Sequence, residues 1–151
     1  MKVNTRVRYG LRSILQIADN YGGDPVPISA ISESQEISNK YLEQVVGTLR
    51  KAGLILSRKG VHGGYTLARD PQDVNLWEII TALDNQTVLV DCVDDPEACE
   101  RSEDCLTRSI WVLLSSRLQE FWQSYTLADL LKTMRESGDL DLQQLSDIKK
   151  P

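Results

Sequence analysis

Three cysteines are the residues of this chain whose type and spacing could do chemistry. Cys92, Cys99 and Cys105 stand with six and five residues between them, on a stretch that carries seven Asp or Glu within residues 91–104. Thiolates are soft ligands, and three on one loop can hold a metal or the edge of an iron-sulfur cluster, or can serve as a redox switch. The spacing does not match the paired C-x-x-C hooks of most structural zinc sites. Spacing alone leaves zinc, redox switching and an iron-sulfur cluster as equal candidates. An odd number of cysteines cannot pair fully within one chain, and a reducing compartment would keep them as thiols.

A second group of side chains suits recognition rather than catalysis. Ser38, Asn39, Lys40, Tyr41, Glu43 and Gln44 flank an apolar helical stripe of Leu42, Val45, Val46 and Leu49. On a helix laid in the major groove, Gln44 can pair bidentately with adenine, Glu43 can accept from a cytosine amino group, and Lys40 can reach guanine or phosphate. The Ser38 and Tyr41 hydroxyls suit phosphate oxygens. Glu43 also repels phosphate, which penalises a wrong register. Further along, Arg58 and Lys59 precede Gly60, and His62-Gly63-Gly64 follow, so a cation sits on backbone that can approach another backbone closely. That pattern suits a wing in the minor groove.

Turn signals define the elements that must position these groups. Asn4 or Thr5 can cap a helix in which Val7, Leu11, Ile14, Leu15 and Ala18 recur at helical spacing, ended by Tyr21-Gly22-Gly23. Pro25 and Pro27 precede a short helix from Ser29 to Gln35, a turn at Glu36-Ile37, and a third helix capped by Ser38 and stopped by Gly53. Residues 54–58 and 65–68 read as two strands of a hairpin with a glycine-rich tip. This order predicts a mainly α fold with a small β-hairpin, a winged helix-turn-helix DNA-binding domain over 1–70. A helix over 74–83 and the lead into the cysteine loop occupy 71–90, the loop itself 91–106, dimerisation helices 107–135, and a tail 136–151. Ile110, Trp111, Leu114, Leu118, Phe121, Trp122 and Tyr125, widened by Val112 and Leu113, form a stripe too broad for one small domain to cover. A long helix paired with a second copy is expected there.

The 151 residues are 41% hydrophobic, enough for an ordinary core, and carry 17 Lys/Arg against 22 Asp/Glu, a net charge of −5. The balance is uneven. Residues 1–69 hold ten basic and five acidic side chains, and residues 70–151 hold seven and seventeen. The basic front half fits an anionic partner despite the acidity of the whole. No apolar run approaches the ~20 residues that span a bilayer, and the N-terminus lacks the apolar centre of a signal peptide, which predicts a cytoplasmic chain with no membrane partner. Neither a nucleotide-binding glycine motif nor a nucleophile-base constellation is present, so an enzyme is not expected.

Several motifs together resemble one family, the winged-helix bacterial regulators of the IscR type, with NsrR and CymR among their relatives. They are Arg8-Tyr9-Gly10-Leu11-Arg12, the run from Ile37 to Gln44, Leu49-Arg50-Lys51-Ala52-Gly53-Leu54, the run from Arg58 to Tyr65, the three cysteines, and Cys105-Leu106-Thr107 leading to Trp111. The resemblance implies a homodimeric transcription factor that binds double-stranded promoter DNA. It also implies an iron-sulfur cluster on Cys92, Cys99 and Cys105, the two-iron type preferred over the four-iron type. Repression of cluster assembly genes follows, with the assembly machinery as cluster donor. A nitric oxide or redox sensor of the same fold is the alternative within the family. An iron-sulfur redox protein or a zinc-stabilised DNA-binding protein is the alternative outside it. In IscR-type members the motif ends Cys-Leu-Thr-His, with the histidine as fourth ligand. Here Arg108 stands at that position, and a guanidinium keeps its protons and offers no lone pair to iron. The fourth ligand stays open: Asp91, Glu103 and Asp104 are within chain reach, residues near the N-terminus of a second copy or an exogenous thiol are further sources, and the single histidine, His62, falls in the wing.

Overall fold

The computed structural model describes residues 3–84 and 89–137; the expected tail beyond 137 lies outside the described residues. Helix α1 (Thr5–Asp19) begins where the Asn4 side chain accepts the Val7 amide at 2.8 Å, so Asn4 rather than Thr5 is the cap. It buries Val7, Ile14, Ile17 and Ala18 and packs on α2 (Ile28–Gln35), α3 (Asn39–Lys51), α4 (Leu76–Leu83) and α6 (Leu127–Ser137). Val7, Ile14 and Ala18 of the predicted stripe lie in the core, while Leu11 and Leu15 are half-buried against it and Ile17, outside that stripe, is buried instead.

The turn between α2 and α3 is sharp for a local reason. Glu36 adopts φ 55, ψ 42, a left-handed conformation unusual for a residue with a side chain. The neighbouring Ile37 is 4% exposed, its N–H donates to the Ser32 carbonyl at 3.1 Å, and its own carbonyl accepts the Ser32 hydroxyl at 2.6 Å. Burial and two hydrogen bonds offset the strain and aim the chain into α3.

Strands β1 (Ile55–Arg58) and β2 (Gly64–Leu67) pair antiparallel, with Ile55 opposite Leu67 and Arg58 opposite Gly64, so each expected strand is shorter or shifted by one residue. Val26 also bridges Tyr65 through reciprocal N–H···O bonds of 2.9 Å, a pairing the proline-flanked stretch did not announce. A Cβ on Gly64 would run into the Val26 carbonyl, so only glycine lets these backbones meet.

A capping box between Asn75 and Glu78 starts α4 two residues later than the pattern predicts; Val74, fully buried, precedes it. At the α1–α4 contact, a Cβ on Gly10 would strike the buried Leu83 side chain. Gly10→Ala is expected to destabilise the protein by ~1–3 kcal/mol through overpacking, visible as a lower midpoint in urea with unchanged m-value.

Beyond two single-turn 3-10 segments, Asp91–Val93 and Pro96–Ala98, helix α5 (Leu106–Ser124) has no buried residue. The predicted apolar stripe is present but ends sooner than expected. Tyr125 leaves helical geometry (φ −110, ψ 136), is 8% exposed, and accepts the Leu76 amide at 2.9 Å, while the Leu127 amide donates to the Val74 carbonyl at 2.9 Å. These two bonds return the chain to the core, and α6 packs Leu127 and Leu131 there. Trp122 packs against the same cluster. Tyr125 and Trp122 thus serve this chain's own core; of the rest of the predicted stripe, Ile110, Trp111, Val112, Leu113, Leu114 and Phe121 are exposed and Leu118 is half-buried. Among the described residues no helix is long and apolar enough to cross a membrane.

Candidate nucleic-acid interface and cysteine loop

Helix α3 carries its recognition face by the same periodicity that seats it. Leu42, Val45, Val46 and Leu49 are fully buried, which forces Asn39, Lys40, Glu43 and Gln44 outward, and all four are exposed. Ser38 is exposed and caps the helix, its Oγ accepting the Tyr41 amide at 3.4 Å; its O–H still has a proton to donate. Tyr41 is half-buried and meets Tyr9 edge-on, with ring centroids 5.9 Å apart. At the wing Arg58, Lys59 and Gly60 are all exposed, and Gly60 takes φ 113 at the tip, a conformation that favours glycine.

Helix α1 supports this face through contacts that its sequence pattern does not show. Arg8 and Arg12 flank the Tyr9 ring at 6.0 and 5.9 Å. Arg12 also ties α1 to the end of α2, donating to the Gln35 side chain at 2.7 Å and its carbonyl at 3.3 Å. Arg6 bonds the Thr48 hydroxyl on α3. The Arg8-to-Arg12 motif was visible in the sequence, but nothing in its spacing tells that Tyr9 props Tyr41.

The three cysteines are free thiols, Cys99 exposed and Cys92 and Cys105 partly exposed. Cys92 lies in the first 3-10 turn, Cys99 ends the second, and Cys105 is the residue from which α5 begins. The Cys105 thiol is held below the usual thiol range, first by the Thr107 hydroxyl at 3.2 Å and then by the Arg108 backbone amide. Arg108 donates its Nε–H to the Cys92 carbonyl at 2.8 Å. Among the described residues no three His, Cys, Asp or Glu side chains are gathered around a point that could hold a metal ion. The donor set nevertheless fits a thiophilic group: three uncrosslinked thiols accessible from solvent on one loop, one of them biased toward thiolate. Asp91, Glu103 and Asp104 are exposed on the same loop.

A capped helix presented beyond a sharp turn, followed by an antiparallel wing with exposed cations, defines a winged-helix, DNA-binding transcriptional regulator. The chain belongs to the Rrf2 family, described as iron-dependent transcriptional regulators, whose pattern it matches over residues 3–133. It is 41% identical over 132 residues to the protein rrf2 of Nitratidesulfovibrio vulgaris, covering 87% of this chain and 88% of that one. It is 37% identical over 151 residues to the HTH-type transcriptional regulator IscR of Sodalis glossinidius, covering 100% and 90%. In solved structures it is similar to T. potens IscR, with a TM-score of 0.75, 35% identity and 93% of each chain covered. CymR, the global cysteine regulator of B. subtilis, is similar with a TM-score of 0.73, 32% identity, and 87% and 97% covered. The resemblance read from the motifs and the mainly helical winged fold both stand.

Proposed function

We propose that this regulator represses iron-sulfur cluster assembly genes and that Cys92, Cys99 and Cys105 hold the cluster through which it senses supply. The observation that carries this reading is the join between loop and helix: Cys105 ends the thiol loop and begins α5, which exposes Ile110, Trp111, Val112, Leu113, Leu114 and Phe121. A second copy of the chain covers that face. Rearranging the loop then biases how two copies pair, and with it the spacing of two recognition helices on DNA. When bound, the group supplies an oxidation- and supply-sensitive occupant of the loop, of the two-iron type in preference to the four-iron type. Arg108 cannot be its fourth ligand, and a carboxylate of Asp91, Glu103 or Asp104 is the proposed source; hard oxygen donors hold iron-sulfur centres weakly beside thiolates.

In this reading residues 1–70 contact DNA, 71–90 connect, 91–106 bind the cluster, 107–135 pair the copies and 136–151 form a tail. The assembly machinery is the donor, and promoter DNA as partner places the protein in the cytoplasm. Ser38, Asn39, Lys40, Tyr41, Glu43 and Gln44 face the major groove, with Arg58, Lys59 and Gly60 at the wing. Gln44→Ala is expected to cost ~1–3 kcal/mol at the correct operator and to relax selectivity there. Lys59→Ala is expected to weaken every sequence alike and to lower the salt slope by about 1. Anisotropy titrations on matched and scrambled operators over a salt series separate the two; equal, salt-independent losses would refute this division.

A further inference from the structure

We infer that Arg108 is a positioning residue that straps the Cys92 end of the thiol loop to the first turn of α5, beside Cys105. The inference rests on the cluster-binding reading for its purpose, though not for its geometry. The Nε–H of Arg108 reaches back sixteen positions to the Cys92 carbonyl at 2.8 Å, in a partly buried bond. Its backbone N–H donates to the Cys105 carbonyl at 3.1 Å. One residue therefore bonds both outer cysteines of the trio.

The middle cysteine is held differently. The Cys99 carbonyl accepts the Ser102 amide at 3.0 Å, and the Ser102 hydroxyl donates to the Pro96 carbonyl at 2.5 Å, both bonds lying wholly within the loop. The structure thus has two cysteine-bearing ends fixed to one helix and an exposed Cys99 on the span between them. Bringing the ends of such a loop together costs entropy, and a charge-assisted bond that closes it beforehand spares the arriving ligand that cost. At the position where the resembled motif would put a histidine, this chain has a strap: uptake is prepared and the hold on the cluster is weaker.

The test uses the full-length, metal-free protein and hydrogen exchange read by mass spectrometry. In Arg108→Ala, peptides spanning 91–102, which contain the bonded amides of Val93, Asp95, Ala98 and Ser102, are expected to exchange about ten-fold faster, while α1 and α3 stay as in the wild type. Millimolar ethylguanidinium is expected to restore the slow exchange, a rescue that plain loss of packing would not show. Unchanged exchange in the loop, faster exchange throughout the chain, or no rescue would overturn the strap. Anaerobic reconstitution of the same proteins reads the purpose separately. If the variant shows the exchange defect and rescue but the wild type takes up no cluster, the cluster reading fails and the strap stands.

Discussion

Replacing Leu113 and Leu114 together by aspartate is expected to leave a folded monomer that binds its operator about a hundred-fold more weakly, or worse. In the single chain these side chains are 54% and 42% exposed, and α5 buries none of its residues, so the fold loses little by the change. In the pair, each apolar side chain removed from water contributes ~1.5–3 kcal/mol, and the aspartates would bring unpaired charges into that seam instead. Separating the copies also removes the effective concentration that lets the second half-site bind after the first. Sedimentation velocity with far-ultraviolet circular dichroism checks the outcome. A double variant that stays dimeric would place the interface elsewhere. Trp122→Asp is a poorer probe, because Trp122 packs against the chain's own core and its loss would disturb the fold as well as the pairing.

Converting Cys92, Cys99 or Cys105 singly to alanine is expected to abolish stable cluster binding in each case while leaving helix content unchanged. None of the three belongs to the hydrophobic core, so a structural role does not compete with the ligand role. Loss of one of three thiolates leaves an iron position to water or carboxylate oxygen, which a soft centre holds poorly. Visible absorption of protein purified without oxygen reads the result. Cys99→Ala with a normal spectrum would remove Cys99 from the ligand set, and it is the variant most worth making first, since Cys99 is the exposed member on the span between the strapped ends.

The winged fold was legible because its signals are local. Apolar residues at helical spacing, Ser38 before α3 and glycines at the turns each state a backbone preference, and the helices and hairpin fall within a few residues of where those preferences put them. What was not legible depends on contacts distant in sequence. The end of α5 is decided by Tyr125 and Leu127 exchanging backbone bonds with Leu76 and Val74, and the helical periodicity through Tyr125 gives no hint of it. Val26 pairing with Tyr65, Tyr9 against Tyr41 and Arg12 on Gln35 are likewise products of assembly. At the cysteine loop, residue types announced the chemistry and Arg108 announced a departure, but a missing lone pair tells only what Arg108 cannot do. Its bond to Cys92 needed the fold.

Iron and acid-labile sulfide per chain, measured on wild-type protein purified without oxygen, test the cluster-sensing reading most directly. A coloured protein with iron and sulfide in equal amounts, about two of each per chain, is the expected result. Zinc in place of iron, or a colourless chain without sulfide after anaerobic reconstitution, would contradict it.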